Sequence, residues 1–455
     1  MSFNSPEIIE ERLAACAGTQ RVEAFIVDIN AVPRGKWIPV SKAGTVARKG
    51  LPMPRSLYAQ DIWGQDVAAA GLAFGTGDPD GFCFPVAHSI APVTWAQLPT
   101  AQMLVSMVDD EGQPFFADPR AMLQRQVDAL AARGLTANVA VELEFYLLAD
   151  GPGAPRPVRL AQPGDGENPL HPGNVLSIES LCEQEGFMND LMAACRAQGL
   201  PDEAILHENS PGQFEVNLTY QPDALFAADQ AILLKRAVKA VARRHAMRAC
   251  FMAKPFGDAA GSGMHVHVSL VDAQGQPYFA DGDGKPAPSL LHAIGGLIAT
   301  MGDAMLLAAP HGNSYRRFRL NSHAPMTAAW GWGDRTAAIR AIEGDARSIR
   351  IEHRVAGADA NPYLVTAGIL AGIVEGLERR IDPGNPQDTG AGKPQGEMLP
   401  LDWRSAITCF EASEFVARHF GEAAQRVISA CKWQDYDGLL GRIPDTDYET
   451  YLGTV

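Results

Sequence analysis

Several marks of familiar functional classes are missing from this 455-residue chain. Its seven cysteines (16, 83, 182, 195, 250, 409 and 431) form no CxxC pair and no zinc-like spacing. That excludes a cysteine-built metal module and reads as reduced, mostly buried thiols of a cytosolic protein. Basic residues are in deficit, 38 Lys and Arg against 53 Asp and Glu, a formal charge of -15. Such a balance argues against a nucleic-acid surface and is weakly compatible with a cationic substrate. There is no GxxxxGK[ST] loop and no HRD or DFG, so neither the P-loop nor the protein-kinase nucleotide site is indicated. The opening stretch MSFNSPEIIEERLAACAG has no basic segment and no long apolar core, unlike a secretory signal; it predicts an acidic helix with Ser5 as N-cap and Pro6 at its first position. The two most apolar helical stretches, Leu290 to Ala309 and Leu364 to Leu377, are interrupted by His292 and Asp303 and by Glu375, so no membrane span is expected. No internal repeat or low-complexity tract is present.

What is there divides in two. Residues 1–112 read as a small α+β unit with mainly local pairing: strands at Arg21 to Asn30 and Gly35 to Ser41 joined by a Pro-Arg-Gly turn, then Phe82 to Val86 and Met103 to Val108. Residues 113–455 alternate strands and helices. They start with a helix capped by Asp118-Pro119 and a strand at Asn138 to Leu148, and a Pro/Gly-rich surface loop is expected over Gly151 to Gly173. Helices are expected over Ile178 to Gln198, Asp223 to Ala246, Ser289 to Ala309 and Asn361 to Arg380, and a single strand near Met326 to Trp332.

The chemistry lies in strands that turn polar groups to one side. Successive side chains of an extended strand face opposite ways. In GMHVHVSL, His265, His267 and Ser269 share a face backed by Met264, Val266, Val268 and Leu270. Alone, this pattern fits histidines on a half-exposed sheet better than the wall of a polar cavity. The signature recurs, however: Glu142 and Glu144 in VELEFYLL, Gln213, Glu215 and Asn217 in GQFEVNL, and Arg350, Glu352 and Arg354 in SIRIEHR. Buried charges are costly unless paired or metal-bound, so four such strands point to one sheet lining a charged cavity.

Glu142, Glu144, Glu208, Glu215 and Glu352 with His265 offer hard oxygen ligands and one nitrogen, a set suited to Mg²⁺ or Mn²⁺ rather than zinc. Five carboxylates exceed the need of one ion that also holds substrate and water, which implies two or more metal sites. Arg317, Arg335, Arg340, Arg350 and Arg354 supply forked donors for phosphate and carboxylate oxygens. Divalent metals beside an arginine clamp are the apparatus of phosphoryl transfer.

The stretches VELEFYLL, ENSPGQFEVNL, KPFGDAAGSGMHVHVSL, NSYRRF, GDRTAAIR and RSIRIEHRVAGADANPYL, in this order, resemble those of the glutamine synthetase family over nearly the whole chain, least in the first hundred residues. The resemblance implies an α+β fold: a small N-terminal β-grasp-like domain, then a glutamine-synthetase-type catalytic α/β domain with a curved antiparallel sheet. It implies ATP and Mg²⁺ or Mn²⁺ as cofactors, and a homo-oligomer of two stacked hexameric rings, a dodecamer, with sites between subunits. Glu144, Glu208 and Glu215 would hold one metal, and Glu142, His265 and Glu352 the metal beside the ATP phosphates. Arg317 would grip the α-carboxylate of glutamate near the Gly261 backbone, and Arg335, Arg340 and Arg354 the transferring phosphate. Glu203, Tyr220, His267, Ser269 and Arg350 fall where the family contacts the nucleotide, with Tyr220 stacking on adenine.

The chain departs from the family's pattern where ammonium is handled. The flap glutamate six residues after Arg317 is replaced by His323, and the Asn before the GSG turn by Ala260. The family's N-terminal ammonium-site aspartate has only Asp61, in SLYAQDIWG, as a counterpart, and the adenylylated-Tyr segment is missing around Asp388 to Leu399. These changes suggest a γ-glutamyl-amine ligase whose acceptor is a primary amine larger than ammonium, first of all a polyamine. His323 would take the proton, and Trp63, Trp330 and Trp332 would offer apolar or cation–π walls. An ordinary glutamine synthetase, and a catalytically silent scaffold or nitrogen sensor, are the competing readings.

Overall fold

A computed structural model describes residues 5–151, 155–158, 175–320, 322–388 and 395–455, with the side chains of Asp202 and Glu203 outside the described set. The loop expected over Gly151 to Gly173 falls largely outside it, as do residues 389–394 of the segment Asp388 to Leu399.

The N-terminal part builds a six-stranded sheet from β1 (Arg21–Val27), β2 (Pro33–Pro39), β3 (Leu51–Pro54), β4 (Asp80–Pro85), β5 (Ala91–Pro92) and β6 (Thr100–Val108), in the order β2-β1-β6-β4-β3 with β5 on β6. Pairing is less local than the sequence suggested: β1 lies parallel to β6, Arg21 opposite Thr100. Every residue of β6 is buried, which draws it to the sheet centre. The turn between β1 and β2 also differs from expectation. Pro33, Arg34 and Gly35 lie within β2; the chain reverses at Asp28 to Val32 instead, where Asp28 Oδ1 accepts the N–H groups of Asn30 (2.9 Å) and Val32 (2.8 Å) and Ala31 takes φ 59°. Gly35 is required for close approach: a Cβ there would lie 2.0 Å from the Ala24 carbonyl oxygen.

The second sheet has eight strands. These are β7 (Leu135–Ala149), β8 (Asp202–His207), β9 (Gln213–Leu218), β10 (Met247–Cys250) and β11 (Met264–Asp272), and, beyond the short β12 (Thr327–Ala328), β13 (Trp330–Trp332), β14 (Ile339–Ile342) and β15 (Arg350–His353). Their order is β13-β14-β15-β11-β7-β9-β8, with β10 on the far end of β7, antiparallel except for the parallel β13–β14 pair. The expected Met326 to Trp332 strand is split, because β12 pairs with β16 (Glu397–Met398) while β13 pairs with β14. The expected Ile178 to Gln198 helix is likewise two, Ile178–Glu183 and Glu185–Ala197, broken at Gln184.

One face of this sheet is mostly apolar: Met264, Val266, Val268, Val141 and Leu143 are all at most 1% exposed. Each such side chain contributes about 1.5–3 kcal/mol by burial, and together they pin the strand registers. Helix Ala224–Arg244, capped by Asp223 through the N–H groups of Leu225 and Phe226, packs behind β7. Helix Pro288–Ala308, apolar and long enough by composition to cross a membrane, is instead 61% buried over that window and packs on helix Pro362–Arg379. Glycines set that contact: a Cβ on Gly296 would lie 2.1 Å from the Gly372 carbonyl oxygen. Asp229, fully buried, ties the parts together through His88 (2.7 Å), Arg120 (3.0 Å) and the Tyr363 hydroxyl (2.5 Å). Cys182 and Cys409 are exposed, unlike the buried Cys16, Cys83, Cys195 and Cys431.

Candidate active site

The apolar pins on one face deliver the polar groups on the other. Register sets His265 opposite Glu142, His267 opposite Glu352, Glu144 opposite Glu215 and Arg340 opposite Glu352. Cross-strand neighbours stand within side-chain reach, so charges far apart in sequence meet. His265 Nδ1 lies 3.3 Å from Glu142 Oε2 and 3.8 Å from Glu352 Oε1, and its Nε2 lies 3.9 Å from Glu144 Oε1. His267 Nε2 is 2.9 Å from Glu142 Oε1, and Arg350 Nε donates to His267 Nδ1 at 3.3 Å. Arg340 donates to Glu352 Oε2 at 2.9 Å, and Arg354 reaches Glu352 Oε1.

Two groups of ligand atoms result, Glu142/His265/Glu352 and Glu144/Glu215/His265, each within 4.8 Å. Their electrostatics differ. Burial works against the Glu142 anion, but hydrogen bonds from His265 and His267 outweigh it and hold this carboxyl well below the usual range. Glu352 is also lowered: Arg354, His265 and His267 outweigh its burial. For Glu215 and Glu208 the compensation falls short: a hydrogen bond from Asn217 on the first, and the Asn209 N–H and the Arg354 charge on the second, do not outweigh what opposes them. Burial first, then neighbouring carboxylates (Glu142 and Glu144 for Glu215, Glu144 for Glu208), pushes Glu215 up to about 9 and Glu208 up to about 7. Carboxyls crowded in this way ionise together only when a cation joins them. The donor set therefore fits a hard divalent ion. Glu208, whose Oε2 accepts the Asn209 N–H at 3.1 Å, stands beside the two groups rather than within them.

The GSG turn closes one side. Glycine is needed at 263 because a Cβ there would lie 2.9 Å from His265 Nε2, 3.0 Å from Arg317 and 3.2 Å from Glu144 Oε1. Gly261 packs on the Arg317 side chain in the same manner. Arg317, 6% exposed, donates to the carbonyls of Val355 (2.7 Å) and Arg354 (3.3 Å).

On the other side the polar face opens into a cavity of about 1090 Å³. Its walls include Tyr220, His267, Ser269 and Arg350, all expected at a nucleotide site, together with Asn138 and Asn217. The Asn217 Oδ1 atom is buried without a hydrogen-bond partner, an acceptor left for a ligand. Glu203 lies on β8, but its side chain is outside the described residues.

Other expected residues stand apart. Arg335 is exposed on the turn before β14. His323 is exposed, with φ 56°, on the loop after Arg317. Asp61 is 3% exposed and already committed: its Oδ1 accepts the N–H groups of Trp63 (2.9 Å) and Gln65 (2.8 Å), and its Oδ2 accepts from Gln434 (2.9 Å). An Asx turn of this kind accounts for an aspartate at that position. Trp330 is buried with its Nε1 on the Gly384 carbonyl, whereas Trp332 is 37% exposed and Trp63 lies under Arg442. Sequence reasoning missed Arg347 and Ser348, loop residues of the large cavity with no periodic signal, and the part played by Gln213, whose signal was its shared face with Glu215.

Comparison with known proteins gives the family and the fold. The family model described as glutamine synthetase, catalytic domain, matches residues 116–451. The chain is 38% identical over 447 residues (98% of this chain, 94% of the relative) to gamma-glutamylputrescine synthetase PuuA of Escherichia coli (strain K12). It is 33% identical over 398 residues (85% of each) to a glutamate–isopropylamine ligase of Pseudomonas sp. Its fold is similar to that of a solved GmaS/ADP complex, with a TM-score of 0.82, 26% identity and 99% of each chain covered. With its α+β architecture and a metal-competent acid–imidazole face, the chain belongs to the glutamine synthetase family.

Proposed function

We propose that the protein is an ATP-dependent ligase joining the γ-carboxyl of glutamate to a primary amine through a γ-glutamyl phosphate. The single observation that carries this is the convergence of the two acid–imidazole groups with Arg317, Arg340 and Arg354 on one sheet face, beside a cavity of about 1090 Å³. Two relatives carry an amine acceptor in their names, putrescine and isopropylamine, and the solved relative is an ADP complex.

A carboxylate is a poor acyl electrophile, so activation by phosphorylation must precede amine attack. Divalent ions, Mg²⁺ or Mn²⁺, supply charge neutralisation at the phosphoryl group when bound. Glu142, His265 and Glu352 would hold one of them, and Glu144, Glu215 and Glu208 another. Arg317 holds the α-carboxylate of glutamate against the Gly261 backbone, while Arg340, Arg354 and the exposed Arg335 meet the negative charge on the transferring phosphate. Tyr220, Ser269 and Arg350 bind the nucleotide, with Glu203 alongside. His323 accepts the proton of the attacking amine, its place in an exposed loop leaving it free to reach an incoming substrate. We assign residues 1–112 and 113–455 to two domains, and a cytoplasmic dodecamer of two hexameric rings as the working assembly. Asp61, whose oxygens accept from Trp63, Gln65 and Gln434, would serve the amine site only as a held negative charge.

The test is purified protein with ATP, Mg²⁺ or Mn²⁺, glutamate and a panel of di-, alkyl- and hydroxyalkylamines plus ammonium, with products weighed by mass spectrometry. A γ-glutamyl amide of one amine, formed with stoichiometric phosphate, is expected. Glutamine as the main product would return the chain to ordinary glutamine synthetases, and an absence of ATP cleavage with every amine would make it a silent scaffold.

A further inference from the structure

Gln213 opens β9 at 0% exposure, on the same face as Glu215. All three arms of its amide are used. Its Oε1 accepts the Ser210 N–H (3.2 Å), and its Nε2 donates to Glu144 Oε2 (3.2 Å) and to the Gly261 carbonyl (3.0 Å). The reverse amide orientation would set a carbonyl against a carboxylate and another carbonyl, so the network settles which way the donor points. Glu144 Oε2 accepts a second N–H from Gly263 at 2.9 Å. That oxygen is thereby occupied, and Oε1 is the one turned towards His265, 3.9 Å from its Nε2.

We infer that Gln213 is a positioning residue that selects which oxygen of Glu144 faces the cation and holds the Gly261 carbonyl in the same frame, so that it controls one of two adjacent metal sites. The inference rests on the two-ion reading above. Two donors on Glu144 Oε2 fix that oxygen in place and leave Oε1 as the one to ligate. Removing the Gln213 donor frees the carboxylate to rotate and leaves the Gly261 carbonyl unpaired. Loss of such an outer hydrogen bond to a ligating carboxylate costs about 10- to 100-fold in metal affinity. Among the described residues Gln213 makes no hydrogen bond to Glu142, His265 or Glu352, so the affinity of that group should hold.

Gln213→Met keeps the volume and removes the amide; Gln213→Asn keeps an amide too short to span the same partners. Metal-free wild type and both variants are titrated with Mn²⁺ by calorimetry, with thermal melts alongside and glutamate and ATP KM values measured separately. Wild type should show two binding events. In each variant one should weaken by about 10- to 100-fold, the other should stay within a few-fold, and KM should rise for glutamate and not for ATP. Two unchanged events overturn the inference. So does an equal loss of both events with a lowered melting temperature, which is what a merely structural role would produce. A wild type that takes up one ion or none sinks the two-ion reading and the inference with it.

Discussion

Titrating Mn²⁺ or Mg²⁺ into the metal-free protein should expel protons, and their number follows from two crowded carboxyls. Glu215, pushed up to about 9 by burial and by Glu142 and Glu144, is almost wholly protonated at pH 7, and Glu208, at about 7, is half protonated. Both must ionise to ligate, so about 1.5 protons should leave per chain at pH 7, about 1 at pH 8 and about 0.5 at pH 9. Affinity should then rise about 17-fold between pH 7 and pH 8, worth about 1.7 kcal/mol, and flatten above pH 9. Stability gives a second reading with a defined sign. A carboxyl raised in the folded state favours folding below its unfolded value and loses that contribution as pH climbs through its folded one. The metal-free protein should therefore soften from about pH 4.5 to about pH 9, while the melting shift on adding metal grows over the same range. Calorimetry in two buffers of different ionisation enthalpy counts the protons directly. Proton-free binding, with an affinity flat from pH 7 to 9, would refute the reasoning and mean that these carboxyls are not brought together around the ion.

Three further outcomes are expected. His323→Asn, a residue that tolerates the backbone φ of 56°, should lower the amine-dependent rate by about 10²–10⁴ with ATP and glutamate binding kept; an undiminished rate removes His323 as the base. Asp229→Asn should destabilise the fold by about 3–5 kcal/mol in urea unfolding, because Arg120, its side chain only 12% exposed, would lose the fully buried partner of its charge; a loss under 1 kcal/mol would argue against that hub. For Glu375, burial is outweighed by hydrogen bonds from Arg379, His419 and Arg418, which hold it at about 2. Its stabilisation should be present above about pH 4.5 and fade as pH falls towards 2, so Glu375→Gln should flatten the acid limb of stability against pH; an unaltered limb counts against the ion-pair account.

Much of the site could be read before any coordinates. Strict alternation in MHVHVSLVD, VELEF and QFEVNL already assigns each polar side chain to one face, because successive side chains in a strand must face opposite ways. Local chemistry likewise announces Asp118 as a helix cap, and it accepts the Arg120 N–H at that helix start. Local patterns misled where a residue answers to a distant neighbour. Gly35 looks like a turn glycine but serves the approach of β1, and Asp61 looks available but is held by Gln434 at the other end of the chain. The single strand expected at Met326 to Trp332 breaks because its two halves find different partners.

Sequence by itself thus determined which side chains share a face, which helices start where, and the hard-ligand character of the inventory, since these follow from backbone period and residue chemistry alone. Only the tertiary structure decided that Glu142 meets both His265 and His267, that Glu208 stands beside the two groups, and that the amide of Gln213 bridges Glu144 to the GSG turn. Such meetings depend on strand register, and register is set by apolar packing on the opposite face of the sheet, a property of all the strands together.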